Sequence, residues 1–234
     1  MSTAPGSGAS VLRVRLLPLI AAFGTFVVLT AAAWGAADPR SPQQRHTVAD
    51  MKLANALALR KADLVAGWKV DPRKAGSSRC AAEPNESKLV QTARVDPSFL
   101  WKDGVTTLGS EVDVYKTAAM AREDWDLSTL KLTSTCLIEV VDAGLAGHGR
   151  VTLDSATVLP APGLAQRSLH YRLVITVHAA QTVKLVTDLI ALAHGRVTVV
   201  LQALSVGSPL SAAGLSAVAA KLAGRLGGGS GIGA

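Results

Sequence analysis

The stretch from Arg150 to Val206 constrains the fold most, because four runs of alternating apolar residues follow one another there almost without pause. "RVTLDSATVLP", "SLHYRLVITVHA", "TVKLVTDLIALA" and "RVTVVLQALSV" are joined by short links that include "AAQ" and "HG". Links of this length cannot carry a crossover, so the runs read as strands of an antiparallel meander. Such a sheet needs apolar cover on a face. The rest of the chain supplies it.

Between Thr47 and Leu64 the spacing of Leu53, Leu57 and Leu64 predicts a helix with one apolar face, stopped by Gly67. Thr92 to Trp101 and Val105 to Lys116 read as a hairpin around "KDG", the Asp-Gly pair that tight turns favour. In its second strand Val112 and Val114 alternate with Glu111, Asp113 and Tyr115. Thr117 is a suitable N-cap for a helix that puts Ala118, Ala121 and Trp125 on one face. Ser134 is the expected cap of the next helix, with Cys136 in its first turn, Leu137, Val140 and Val141 inward, and Gly144 to Gly149 ending it. Ser208-Pro209 reads as the start of a last helix with the stripe Leu215, Val218, Leu222 and Leu226. Lys221 and Arg225 suit its negative end and Gly227 its stop. The fold class expected is α+β: a two-stranded hairpin and a four-stranded meander forming an antiparallel sheet, packed with about four helices.

Leu16 to Ala37 is 22 residues without a charge, preceded by Arg13 and Arg15. As a helix it would be about 33 Å long, enough for a hydrocarbon core of about 30 Å. It reads as a transmembrane anchor or as a signal peptide, since Gly35-Ala36-Ala37 before Asp38 is also a pattern that signal peptidase accepts. No cysteine lies at its end, which rules out lipid attachment there. The expected organisation is a cytoplasmic tail over 1–15, the membrane segment over 16–37 and a polar stalk over 38–46. A domain outside the membrane follows over 47–226, with a disordered Gly-rich tail over 227–234. The domain is expected at the cell membrane, or secreted if the segment is cleaved.

Cys80 and Cys136 are the only cysteines, and neither lies in a metal-ligand spacing. In an exported chain an even pair most economically forms one disulfide. Asn85-Glu86-Ser87 matches the glycosylation sequon. The net charge of +7 comes from scattered basic residues rather than a block, which reads as a solvated surface. Aromatic residues make up only 4% of the chain, which speaks against a base-stacking surface, so no nucleic-acid partner is expected.

Together the segments "ALALRKADLVAGW", "EVDVYKTAAMAREDW", "ALAHGRVTVVLQ" and "LSAVAAKLAGRL", with a cysteine after the first and another after the second, resemble the PknH-like extracellular domain of actinobacterial receptor kinases and envelope proteins. The resemblance covers about 180 residues as a pattern. It implies an α+β sandwich outside the membrane that meets a ligand or another envelope component in a groove. The kinase-borne domains use two disulfides, whereas this chain has cysteines for one.

Neither G-x-S-x-G, H-E-x-x-H, G-x-x-x-x-G-K-[ST] nor G-x-G-x-x-G occurs, so no catalytic residue, metal site or cofactor is expected. His46, His148 and His194 read as loop residues. His170 and His178 share one strand face with Arg172 and Thr176, and a three-residue "AAQ" loop would set Arg172 opposite Asp188. The bland reading is a cross-strand ion pair. The sharper one is a ligand patch of His170, Arg172, His178, Lys184 and Asp188. Glu123, Asp124 and Asp126 read as a solvated helix face rather than a calcium site. Trp68 reads as a core plug lying over Leu57 and Leu64. The function expected is a non-enzymatic, sensor-like or ligand-binding domain of the cell envelope. The alternative is a structural or adaptor protein that binds another envelope protein.

Overall fold

The computed structural model describes residues 39–72, 80–127, 130–145, 147–161 and 163–228. The segment Leu16–Ala37 and the end of the Gly-rich tail lie outside them. No helix among the described residues is long and apolar enough to cross a membrane.

The meander forms as its alternation requires. β6 (Arg150–Leu159), β7 (Arg167–His178), β8 (Thr182–His194) and β9 (Val197–Val206) pair antiparallel in chain order. The "AAQ" loop pairs His178 with Thr182, and Gly195, at φ 57°, makes the two-residue turn between His194 and Val197. β9 then pairs with β5 (Thr107–Tyr115), which joins the hairpin to the meander in one sheet.

The expected first hairpin strand is broken in two, β3 (Val90–Val95) and β4 (Ser98–Trp101), both lying along the same side of β5. Pro97 causes the break: it has no N–H for the ladder, and its carbonyl instead accepts from Ser110 N at 3.0 Å. At the hairpin turn Asp103 Oδ1 accepts from the amides of Val105 and Thr106, each at 2.9 Å. Two strands escaped the sequence reading. β2 (Trp68–Val70) is antiparallel to β4, and β1 (Gln43–Gln44) runs parallel to β3. Among the described residues the sheet is therefore nine-stranded and mixed rather than six-stranded and antiparallel. Within the segment expected as a polar stalk, Gln43 N donates to Leu89 O at 2.8 Å and Arg45 N to Gln91 O at 2.9 Å, which joins it to the sheet.

Register sorts the two faces. Val112, Val114, Val199, Leu201, Ala203, Ile190 and Leu192 point to one side. They form the main core with Leu57 of α1 (Val48–Leu57) and Leu215, Val218, Leu222 and Leu226 of α4 (Ala212–Gly228). On the other side Ile175, Val177 and Leu185 pack under Leu137, Val141 and Leu145 of α3 (Leu130–Leu145). Tyr115 packs there under Ala121 of α2 (Ala118–Leu127). Four helices thus flank the described sheet, two on each face.

Several helix ends differ from expectation. Thr47 caps α1 as a β-region residue whose Oγ1 accepts from Asp50 N, but α1 stops at Leu57 and a 3-10 turn over Lys61–Asp63 follows. Ser134 lies inside α3, which begins almost where α2 ends. α4 is capped by Ser211, whose Oγ accepts from Gly214 N at 3.1 Å, rather than by Ser208. Val140 is exposed rather than inward, and Gly227 and Gly228 still belong to α4. Lys221 and Arg225 do more than suit the helix end: Lys221 Nζ donates to Asp63 O at 2.8 Å, and Arg225 donates to Ala58 O at 2.7 Å and pairs with Asp63.

Trp68 is only 8% exposed and belongs to the main core with Leu57, while Leu64 packs against that core. Its closest ring partner is Trp101, directly opposite on β4, with centroids 5.2 Å apart and planes tilted by 59°. Gly67 makes room for this pair. At φ 110° it adopts a backbone that side chains resist, and an added Cβ would lie 2.6 Å from the Trp101 ring.

Candidate functional site

Cys80 is buried and disulfide-bonded to Cys136, with Cα atoms 5.1 Å apart, as expected. The bond ties the loop before β3 to the middle of α3, and Ala81 N donates to Glu139 Oε2 at 2.8 Å beside it. The carboxylate of Glu83 lies within 4.8 Å of both sulfurs, but bonded sulfurs are not thiolate ligands.

The five residues of the expected polar patch all lie on the sheet face that α1 and α4 cover, where that face continues past α4 onto β8, β7 and β6. They divide into two groups. Arg172 is directly opposite Asp188, as the loop length predicts. Arg172 Nε donates to Asp188 Oδ1 at 2.9 Å and Nη2 to Oδ2 at 3.2 Å, a two-point contact, and His170 Nε2 lies 2.8 Å from Oδ1. Asp188 is 2% exposed, so this carboxylate is spent on its neighbours and offers nothing to a ligand.

The second group is nearer solvent. Thr176 Oγ1 donates to Asp154 Oδ2 at 2.7 Å, Lys184 Nζ lies 3.8 Å from the same oxygen, and His178 Nε2 is 3.1 Å from Thr152 Oγ1. Lys184 is exposed and His178 and Thr152 are half-buried. What the patch presents is thus Lys184, His178 and Thr152, with Thr157 and Arg150 exposed on the adjoining β6. Thr152 and Asp154 were missed in the sequence because only the β6–β7 register sets them beside Thr176 and His178. His46 and His148 are exposed, whereas His194 is a half-buried strand residue.

A second polar cluster lies between β5 and α2, and it includes Asp124, which was expected on a solvated helix face. On the side of β5 that carries Glu111, Asp113 and Tyr115, Asp113 and Tyr115 are buried, Tyr115 under α2, while Glu111 stays partly exposed. Gln44 Nε2 donates to Gln91 Oε1, and Gln91 Nε2 in turn donates to the buried Asp113. Burial, and then the charge of Glu111, pushes the Asp113 carboxyl well above the usual range. Asp124 of α2 is hydrogen-bonded to the buried Tyr115 hydroxyl, and burial, reinforced by Glu86 and Glu111, raises it to about 6. Asp124 therefore faces the sheet, while Glu123 and Asp126 are exposed as expected. Arg94 pairs with Glu111 at 2.5 Å, and Asp126 pairs with Arg167 at 3.1 Å.

Beside this cluster Ala118, Ala121, Arg122 and Trp125 of α2 face Gln166, Arg167, Ala193 and Gly195 across a depression of about 70 Å³. Ligand pockets usually measure about 300–1,000 Å³, so this hollow holds at most a few solvent molecules.

No protein-family model and no curated protein matches the sequence. Among solved structures, the chain is similar to the extracellular domain of PknH from Mycobacterium tuberculosis, with a TM-score of 0.40 at 11% sequence identity over 76% of this chain and 96% of that one.

Proposed function

We propose that the chain is a non-enzymatic, sensor-like binding domain of the cell envelope, held outside the membrane by Leu16–Ala37. It meets its partner through the open sheet face of β6, β7 and β8. The observation that carries this reading is the patch of Lys184, His178, Thr152 and Asp154 on the strands of the sheet, beside the Arg172–Asp188–His170 network on the same face, whose carboxylate is buried. The Cys80–Cys136 bond supports an oxidising compartment. A polar patch on strands is preorganised, because the ladder fixes the backbone before any partner arrives.

The second reading is an adaptor that binds another envelope protein. The small size of the α2 depression and the exposed Leu153 and Val158 favour it, since a contact surface needs no pocket.

Co-purification from the native host separates them. Wild type and the triple variant Thr152→Ala, His178→Ala, Lys184→Ala are isolated from membranes, and the associated material is identified by mass spectrometry. Loss of one specific component from the triple variant, with an unchanged melting curve, is expected. Identical material on both proteins would contradict the patch reading and favour the adaptor.

A further inference from the structure

We infer that the free edge of β6 pairs antiparallel with the β6 edge of a second copy of this chain, joining the two sheets across a two-fold axis. Among the described residues β6 is bonded only to β7, leaving the other side of a ten-residue strand open. An open edge of this length presents a row of unpaired backbone groups, which proteins ordinarily blunt or cover. The opposite end of the sheet is a two-residue strand.

The side chains on this edge are apolar on one face only. Val151, Leu153, Ala156 and Val158 share the α3 side of the sheet, where Val158 is 61% exposed and Leu153 is 40% exposed. Val140 of α3, the helix packed beside β6, is 42% exposed. The other face carries Arg150, Thr152, Ser155, Thr157 and Leu159.

The bulge between Leu153 and Ser155 selects a second copy as the occupant. Without it, full-overlap antiparallel pairing of this ten-residue strand with itself would set each face against the opposite face, because one residue of slip exchanges them. Asp154 is the extra residue of the bulge and shifts the second half of the strand by one. Full-overlap pairing then matches face with face throughout. Val151 meets Val158 of the second copy, Leu153 meets Ala156, Thr152 meets Thr157, and Asp154 meets Ser155. No like charges oppose each other. The Asp154 carboxylate is drawn back onto Thr176 Oγ1 at 2.7 Å and toward Lys184. The paired edges would run about 34 Å at 3.4 Å per residue.

The test uses the full-length chain in mild detergent. Thr152→Cys and Thr157→Cys variants are oxidised separately and as a mixture, and no native thiol interferes because Cys80 and Cys136 are bonded to each other. The mixture is expected to form covalent dimers at least tenfold more than either variant alone, since each position faces the other and not itself. The same mixture carrying Val158→Lys, which charges an already exposed position, is expected to lose the crosslink at least tenfold while keeping its melting temperature. Failure of the mixture to crosslink, equal crosslinking of a single variant, or a crosslink unaffected by Val158→Lys each overturns the pairing. An edge occupied by a foreign strand or another segment of this chain would give the first of these results.

Discussion

Trp68, Asp50 and Asp124 show three ways in which a single side chain bears on the stability of this fold. Trp68 fills the space between α1 and the β2–β4 ladder, against Trp101. Trp68→Ala is expected to cost about 3–5 kcal/mol, the usual range for truncating a large buried aromatic, as read by chemical denaturation. Asp50 in the first turn of α1 receives Arg196 Nη2 at 2.6 Å and Nη1 at 3.0 Å, and this contact lowers its carboxyl to about 2. The folded value lies below the unfolded one, so the contribution is present above about pH 4 and is lost as pH falls through 2. Asp50→Asn is expected to cost about 2 kcal/mol at pH 7 and to flatten the acid limb of the stability profile. Asp124 has the opposite sign. Its carboxyl is raised to about 6, so the folded state binds the extra proton and stability falls as pH rises from about 4 to 6. Asp124→Asn is expected to stabilise the protein at pH 8 by on the order of 1–3 kcal/mol and to change little at pH 3.5, as thermal melts at the two values would read.

At the scale of elements, the meander was legible because short links leave a strand one place to go. Arg172 opposite Asp188 followed from counting the "AAQ" loop, and the stripe Leu215, Val218, Leu222 and Leu226 faced inward as its spacing required. Alternation says which residues share a face, but it does not say whether that face is covered. The alternation of Asp113 and Tyr115 with Val112 and Val114 therefore left the cover of their side open, and Tyr115 packs there under α2. β1 and β2 span two and three residues, too short for any period to register, and each is fixed by a partner distant in sequence. For the same reason the division of the patch into a spent carboxylate and an outer group was hidden, because it depends on depth along one face. The Cys80–Cys136 bond spans 56 residues and fastens α3 to the loop before β3. Replacing both cysteines by Ala is expected to cost about 4 kcal/mol in the loop-entropy model, measured by denaturant titration against the oxidised wild type.

For the whole molecule, the described strands form one sheet whose centre and outer strands differ in how they are covered. The β5–β9–β8 centre is covered on one side by α1 and α4, and supplies most of the core. The outer strands leave a polar face and an open edge away from that core. Along β8 the buried Asp188 and the exposed Lys184 share one face of the sheet, so the ion pair and the outer polar residues lie side by side. The account stands or falls on the folded domain lying outside the membrane. The most direct measurement is labelling of a Lys184→Cys variant in intact cells with a membrane-impermeant maleimide. Its new thiol is expected to label in intact cells as fully as after lysis, while the wild-type chain, with Cys80 bonded to Cys136, stays unlabelled. Labelling of the variant only after lysis would contradict the account.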